Sequence, residues 1–261
     1  TDRLKWTMDF KNKVVIITGA SSGIGASAAV LYAKQSANLV LVGRNENSLK
    51  NVAQQCENAN GISPLVVKAD LTIENDVKKI VTETVDKFGR IDVLVNNAGV
   101  GIQASILDGI EPFDTAMALN IRPVYLLTSL AAPYLIESKG NIINVSSVAA
   151  FGPIKGVDYL PYCMTKAAMD QFTKCVALEL GPKGVRVNSV NPGCTKTPFA
   201  ENAGFSKEEV DKLYENRSEV YPLRKVVESE EVSDLIVYLS SNRARSITGS
   251  TYVIDNGELL V

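Results

Sequence analysis

The chain has 261 residues, 46% of them hydrophobic and 21% charged, with a formal net charge of −2 and no histidine. That length can bury most of its apolar surface in one core, and no apolar run approaches the length of a membrane span. Lysine and arginine are scattered rather than grouped, which argues against nucleic-acid binding, because neutralising phosphates needs clustered cations.

The chain opens with TDRLKWTMDF, which lacks the apolar h-region of a secretory signal. Residues 1–8 read as an N-terminal extension and residues 9–261 as one domain. VVIIT (14–18), β-branched throughout and ended by a glycine, reads as a buried strand, followed by a helix over about 24–35. NLVLVG (38–43) is the second strand, about 47–56 is helical, and SPLVVKAD (63–70) holds the third strand. Val77, Ile80, Val81, Thr84, Val85 and Phe88 then recur at helical spacing, one face of a helix laid on a sheet. VLVNNAG (93–99) is the fourth strand with its loop, and a helical stretch runs over about 112–137 with an interruption at Pro123. NIINVSS (141–147) is the fifth strand, about 159–180 a long helix, and VRVNSV (185–190) the sixth strand. SKEE (206–209) has capping-box spacing and starts another helix. Residues 232–239 are helical and TYVID (251–255) is the last strand.

Repeated βα units with near-continuous apolar strands predict a parallel sheet covered on both faces, joined by right-handed crossovers. The fold class is therefore α/β: a single-domain, doubly wound, Rossmann-like parallel sheet of about seven strands. Cys56, Cys163, Cys175 and Cys194 form no CxxC pair, and without histidine no metal site is expected. Isolated cysteines and no signal peptide predict reduced thiols and a cytoplasmic location.

TGASSGIG (18–25) follows the first strand and opens a helix. Gly19 permits a tight turn, Gly23 a close backbone approach and Gly25 helix-on-strand packing. The helix N-terminus then presents free N–H groups and a positive dipole end to a pyrophosphate. The spacing is neither GxGxxG nor that of a P-loop.

Taken with four further segments in order, NNAG (96–99), NVSS (144–147), Tyr162-x-x-x-Lys166 and NPGCTKT (191–197), this loop resembles the short-chain dehydrogenase/reductase family over about residues 9–257. The resemblance implies a nicotinamide dinucleotide, with Gly19, Ser21, Ser22, Gly23, Ile24 and Gly25 at its pyrophosphate. In that family an acidic residue ending the second strand usually binds the ribose hydroxyls of NAD. Here Gly43 stands there, followed by Arg44 and Asn45, and a guanidinium suits a 2′-phosphate in charge and in geometry. NADP(H) is therefore expected over NAD(H). Asp70 and Leu71 are implied at the adenine, though Asp70 can equally open the next helix with Thr72 as its N-cap. Asn97, Ala98 and Gly99 are implied beside the adenosine ribose, with a structural role on the central strand as the alternative. Pro192, Gly193, Thr195 and Thr197 are implied beside the nicotinamide.

Reducing a ketone needs a hydride and a proton. A phenol with a pKa of about 10 is a poor donor at neutrality unless shifted, and an ammonium one helical turn away favours its ionised form. By resemblance Tyr162 is the general acid in reduction and the base in oxidation. Lys166 lowers its pKa and binds the nicotinamide ribose, and Ser147 hydrogen-bonds the substrate oxygen, with Ser146 as a rival. Asn120 resembles the asparagine that holds a water linked to Lys166. Pro123 either kinks the helix to expose the Asn120 backbone or starts a new helical segment.

For the substrate, residues 100–102, 149–157 and 199–221 are the candidate pocket, contributing Phe151, Ile154, Phe199, Phe205, Leu213 and Tyr214. A small apolar alcohol or carbonyl compound fits best, under a lid over about 195–225. The function predicted is an NADP-dependent alcohol dehydrogenase or carbonyl reductase, acting as a homo-oligomer, tetramer or dimer. One rival is a 3-oxoacyl-carrier-protein-type ketoreductase, which needs a basic docking patch beside the pocket, with Lys139 and Lys183 as candidates. A more distant rival is a non-catalytic NADP-binding regulator.

Overall fold

The computed structural model describes residues 10–154 and 157–261. The expected N-terminal extension therefore lies outside the described residues. Seven strands occur among the described residues: β1 (Val14–Thr18), β2 (Asn38–Gly43), β3 (Leu65–Lys68), β4 (Val93–Asn96), β5 (Asn141–Val145), β6 (Arg186–Pro192) and β7 (Thr251–Ile254). They form one sheet in the order β3-β2-β1-β4-β5-β6-β7, and every pairing is parallel.

The helices are α1 (Gly23–Lys34), α2 (Glu46–Asn60), α3 (Glu74–Phe88), α4 (Glu111–Asn120), α5 (Arg122–Ser138), α6 (Leu160–Leu180), α7 (Phe199–Asn202), α8 (Lys207–Val220) and α9 (Ser229–Ser240). The period-two alternation of the strands divides the core in two. Val15 and Ile17 of β1 pack with Ala28 and Ala29 of α1 and Ile236 of α9. Val14 and Ile16 face the other way, onto Ile80 of α3, Leu127 and Leu135 of α5 and Leu180 of α6. Each such Ile or Leu taken out of water contributes about 1.5–3 kcal/mol.

The chain leaves β1 toward β2 on one side and returns to β4 on the other. The carboxyl ends of β1 and β4 therefore bound a crevice, the place where open α/β sheets bind ligands.

Two boundaries differ from expectation. The long helix divides at Ile121, and Pro123 sits in the first turn of α5, where its missing N–H breaks no helical bond. Pro123 thus starts a new segment rather than kinking an existing one. Thr72 is not the cap of α3, whose N-cap is Ile73 with no side-chain bond. Thr72 instead gives its backbone N–H (2.9 Å) and its hydroxyl (2.7 Å) to Asp70 Oδ1. The SKEE capping box at Ser206 and Glu209 forms as read.

Candidate active site

A continuous cleft of about 960 Å³ runs along the carboxyl ends of the strands. Every residue expected in catalysis or at the cofactor lines it except Gly25 and Asn120, which stand directly behind it. At one end the loop after β1, built of glycine, alanine and serine, forms a cradle with only small side chains. Gly19 has φ +65°, and a Cβ there would lie 2.9 Å from the Ala98 Cα. Gly25 has an ordinary φ but no room, since its Cβ would lie 2.4 Å from the Gly19 carbonyl oxygen. Ser22, the N-cap of α1, makes no side-chain cap, and the first turn carries no acid. The leading N–H groups of α1 thus have no capping side chain, as an anion seat requires.

Asn97 ties this loop to its neighbour. Its Nδ2 donates to the carbonyls of Thr18 (2.9 Å) and Gly19 (3.2 Å), while Thr18 Oγ1 accepts from the N–H groups of Asn97 (3.0 Å) and Ala98 (3.1 Å). The other motif asparagines are also structural: Asn96 Nδ2 donates to Asn144 Oδ1 (2.9 Å), and Asn144 Nδ2 to Thr173 Oγ1 (2.9 Å), joining β4, β5 and α6. Arg44 is exposed at the cleft's edge. Its charge and, more strongly, the bonds from Thr72 hold the Asp70 carboxyl below its ordinary range. Asn45 caps α2, accepting from the Ser48 N–H at 3.1 Å.

At the other end stand Tyr162 and Lys166, stacked on one face of α6. Both are buried, at 6% and 4% exposure, yet both border the cleft. The Tyr162 phenol is hydrogen-bonded to the Ser147 side chain. Ser147 Oγ also accepts from the Ala149 N–H at 3.1 Å. Ser146 points elsewhere, giving its hydroxyl to the Lys166 carbonyl at 3.1 Å, so geometry favours Ser147 over its rival. Asn120 Nδ2 donates to the Val100 carbonyl (3.0 Å) and Thr165 Oγ1 (3.2 Å), and its Oδ1 accepts from the Val100 N–H (2.9 Å). Its side chain therefore fixes the loop after β4 beside Lys166.

The electrostatics depart from expectation. Burial raises the Tyr162 phenol well above its ordinary value, and the bond from Ser147 offsets this only in part. The Lys166 ammonium is not what tunes the phenol here. It donates to the Val145 carbonyl at 2.9 Å and lies 5.5 Å from the centre of the Tyr162 ring. Burial pushes Lys166 down to about 8, with the Asp170 carboxylate opposing that fall.

Beyond Tyr162 the cleft becomes apolar. Tyr159, Tyr162 and Phe199 form a ring cluster with centroids 5.6 Å and 5.5 Å apart. Ile154, Val157 and Phe205 pack on it. Leu213 and Tyr214 line the same cleft, as expected. Phe151 does not: it is 51% exposed and turned away from the cleft. Tyr159 was not anticipated, although its place three residues before Tyr162 puts it on the same side of the helix start. Gly101 is needed where the loop after β4 passes the ring cluster, because a Cβ there would lie 3.1 Å from Phe199 and 3.2 Å from the Tyr159 hydroxyl. Polar groups missed by sequence reading, Arg217 and Glu258, close the far wall. Lys139 and Lys183 cannot form a docking patch beside this pocket. They precede β5 and β6, at the end of the sheet opposite the cleft.

The family profile described as Enoyl-(Acyl carrier protein) reductase matches residues 19–258. A meso-2,3-butanediol dehydrogenase of Serratia marcescens is 35% identical over 251 residues, 96% of each chain. Among solved structures, a short-chain dehydrogenase/reductase of unknown function from Caenorhabditis elegans, with cofactor, superposes with a TM-score of 0.92 at 36% identity, covering 97% of both chains. L-Sorbose reductase of Gluconobacter frateurii, complexed with NADPH and L-sorbose, gives a TM-score of 0.90 at 30% identity, covering 98% of this chain and 99% of that one. With its seven-stranded parallel sheet, glycine cradle and Ser-Tyr-Lys cluster, the chain is a member of the short-chain dehydrogenase/reductase family of oxidoreductases.

Proposed function

We propose that the protein is an NADP-dependent oxidoreductase that interconverts a secondary alcohol and a ketone, or a primary alcohol and an aldehyde, on a small, largely apolar substrate. The observation that carries this reading is a buried tyrosine phenol, hydrogen-bonded to a serine, opening between a glycine cradle and an apolar pocket.

The chain's residues fit a dinucleotide. The uncapped start of α1 and the small-residue loop suit a pyrophosphate. Asp70 and Leu71 border the cleft where an adenine would lie, and the segment Pro192, Gly193, Thr195 and Thr197 borders the end nearest Tyr162. When bound, the nicotinamide supplies the hydride. The protein supplies the proton. Burial keeps Tyr162 in its acid form, as carbonyl reduction requires. Ser147 Oγ shares the phenol's position and is placed to donate to the same substrate oxygen, stabilising the negative charge that develops there. Lys166 provides a fixed positive charge beside both. Phe199, the first residue of α7, packs on Tyr162 and keeps water from the proton-transfer path.

NADP is favoured because no carboxylate stands at residues 43–45 and Arg44 is free to reach the cleft's edge. The NADPH complex of L-sorbose reductase supports that reading. Arg44→Ala is expected to raise the NADPH dissociation constant by about 10- to 100-fold, the value of one charge-assisted contact, and to leave NADH unchanged. Equal weakening of both would remove the 2′-phosphate assignment. The reading as a whole is tested by a panel of alcohols and carbonyls assayed with NADPH and NADH. Turnover with a preference for NADPH and for apolar carbonyls is expected. Tight NADPH binding with no turnover across the panel would replace the enzyme with a cofactor-binding regulator.

A further inference from the structure

Helix α6 carries a third polar residue in line with the first two. Tyr162, Lys166 and Asp170 follow at four-residue spacing and so stack along one face. Asp170 is 7% exposed. Its Oδ1 accepts from Ser189 Oγ (3.1 Å) and its Oδ2 from Asn191 Nδ2 (2.7 Å), both on β6. Asn191 Nδ2 also donates to the backbone carbonyl of Ser147 at 3.0 Å, and its Oδ1 lies 3.0 Å from Ser189 Oγ.

A buried carboxylate is costly unless a cation and hydrogen bonds compensate it. The hydrogen bonds come from two neutral side chains, and the cation one turn away is Lys166. Lys166 stands in the converse position. Its other neighbours are the Val145 carbonyl from β5, Gly99, whose Cβ position lies 3.6 Å from its Nζ, and the Tyr162 ring on its own helix. Of the groups facing it, Tyr162 and Asp170 are titratable, and Asp170 is the one whose charge bears on it.

We propose that Asp170 is a positioning residue for the proton-transfer pair: its buried charge keeps Lys166 an ammonium, and its bond to Asn191 holds Ser147 at Tyr162. The consequence for catalysis rests on the dehydrogenase reading, but the charge balance can be measured without it. Asp170→Asn removes the charge and leaves the hydrogen bonds satisfiable. The new amide oxygen can accept from Asn191, and its NH2 can donate to Ser189 Oγ, whose own proton then turns to Asn191 Oδ1.

In protein labelled with 13C at the lysine Cε, the Lys166 signal is identified by its loss in Lys166→Arg and followed through a pH titration. In Asp170→Asn its midpoint is expected to fall by about one unit or more below the wild-type value, while Asp170→Glu stays closer to wild type. With any carbonyl the wild type reduces, the alkaline limb of kcat/KM should move down by the same amount, so the variant's deficit is larger at pH 8 than at pH 6. An unmoved Lys166 midpoint in folded Asp170→Asn overturns the proposal. Should that variant not fold, Asp170→Ser, smaller and equally uncharged, must show the same fall. A wild type without turnover would sink the dehydrogenase reading and leave the titration to decide this one.

Discussion

Tyr162→Phe is expected to lower carbonyl reduction by about 10²- to 10⁴-fold, the usual contribution of a positioned general acid, with NADPH affinity unchanged. The substitution removes one oxygen and little else. The ring stays packed between Tyr159 and Phe199, and Ser147 keeps the Ala149 N–H as a partner. The melting temperature should therefore hardly move, since Ser147 Oγ, with the Pro192 carbonyl also in reach at 3.5 Å, is not left unsatisfied. The proton, by contrast, is lost with that oxygen. If turnover survives, the acid is another hydroxyl, and Tyr159 is the first to replace. In the wild type, kcat/KM is expected to fall as pH rises through about 8, where Lys166 loses its proton. The sign follows from the charge: the ammonium is present below that value and supports the proton-transfer pair, and it is gone above it. A profile flat to pH 10 would detach Lys166 from catalysis.

Much of this was legible in the sequence because the signals are local. The unbroken β-branched run VVIIT must be buried on both faces, and a glycine loop followed by a helix can be read without knowing anything else. Tyr162 and Lys166 share a face by helical arithmetic alone. What failed was long-range. Phe151 looks like a pocket residue from its place after the NVSS segment, but the turn at 148–150 carries it outward. Lys139 and Lys183 look like a basic patch until the strand direction puts them at the wrong end of the sheet. The expected depression of the Tyr162 pKa counted a nearby ammonium and omitted burial, which is the larger effect here. Asp170 went unremarked because its partners, Ser189 and Asn191, lie some twenty residues away on another element.

Gly25→Ala is expected to abolish NADPH binding and to destabilise the fold, and the reason is space rather than conformation. Gly25 is buried within α1 at an ordinary helical φ, so alanine would favour the helix if it fitted. It does not fit: the added Cβ would lie 2.4 Å from the Gly19 carbonyl oxygen and 2.5 Å from Asn97 Nδ2. Neither atom can yield alone. The Gly19 carbonyl is bonded to Asn97, and Asn97 is bonded to Thr18, which in turn holds the Asn97 and Ala98 backbone. The helix must therefore move off the strand. Overpacking of this kind costs about 1–3 kcal/mol, a fall in Tm of roughly 2–12 °C for a chain of this size. The same shift turns the leading N–H groups of α1 away from the loop. NADPH at a hundred times its dissociation constant should stabilise the wild type by about 2.7 kcal/mol, and that gain should vanish in the variant. Gly181→Ala is the control, a helical glycine at φ −55° with nothing within 4 Å of its Cβ position, and it should change neither quantity. If Gly25→Ala keeps both its melting temperature and its NADPH shift, the start of α1 is not where the pyrophosphate sits.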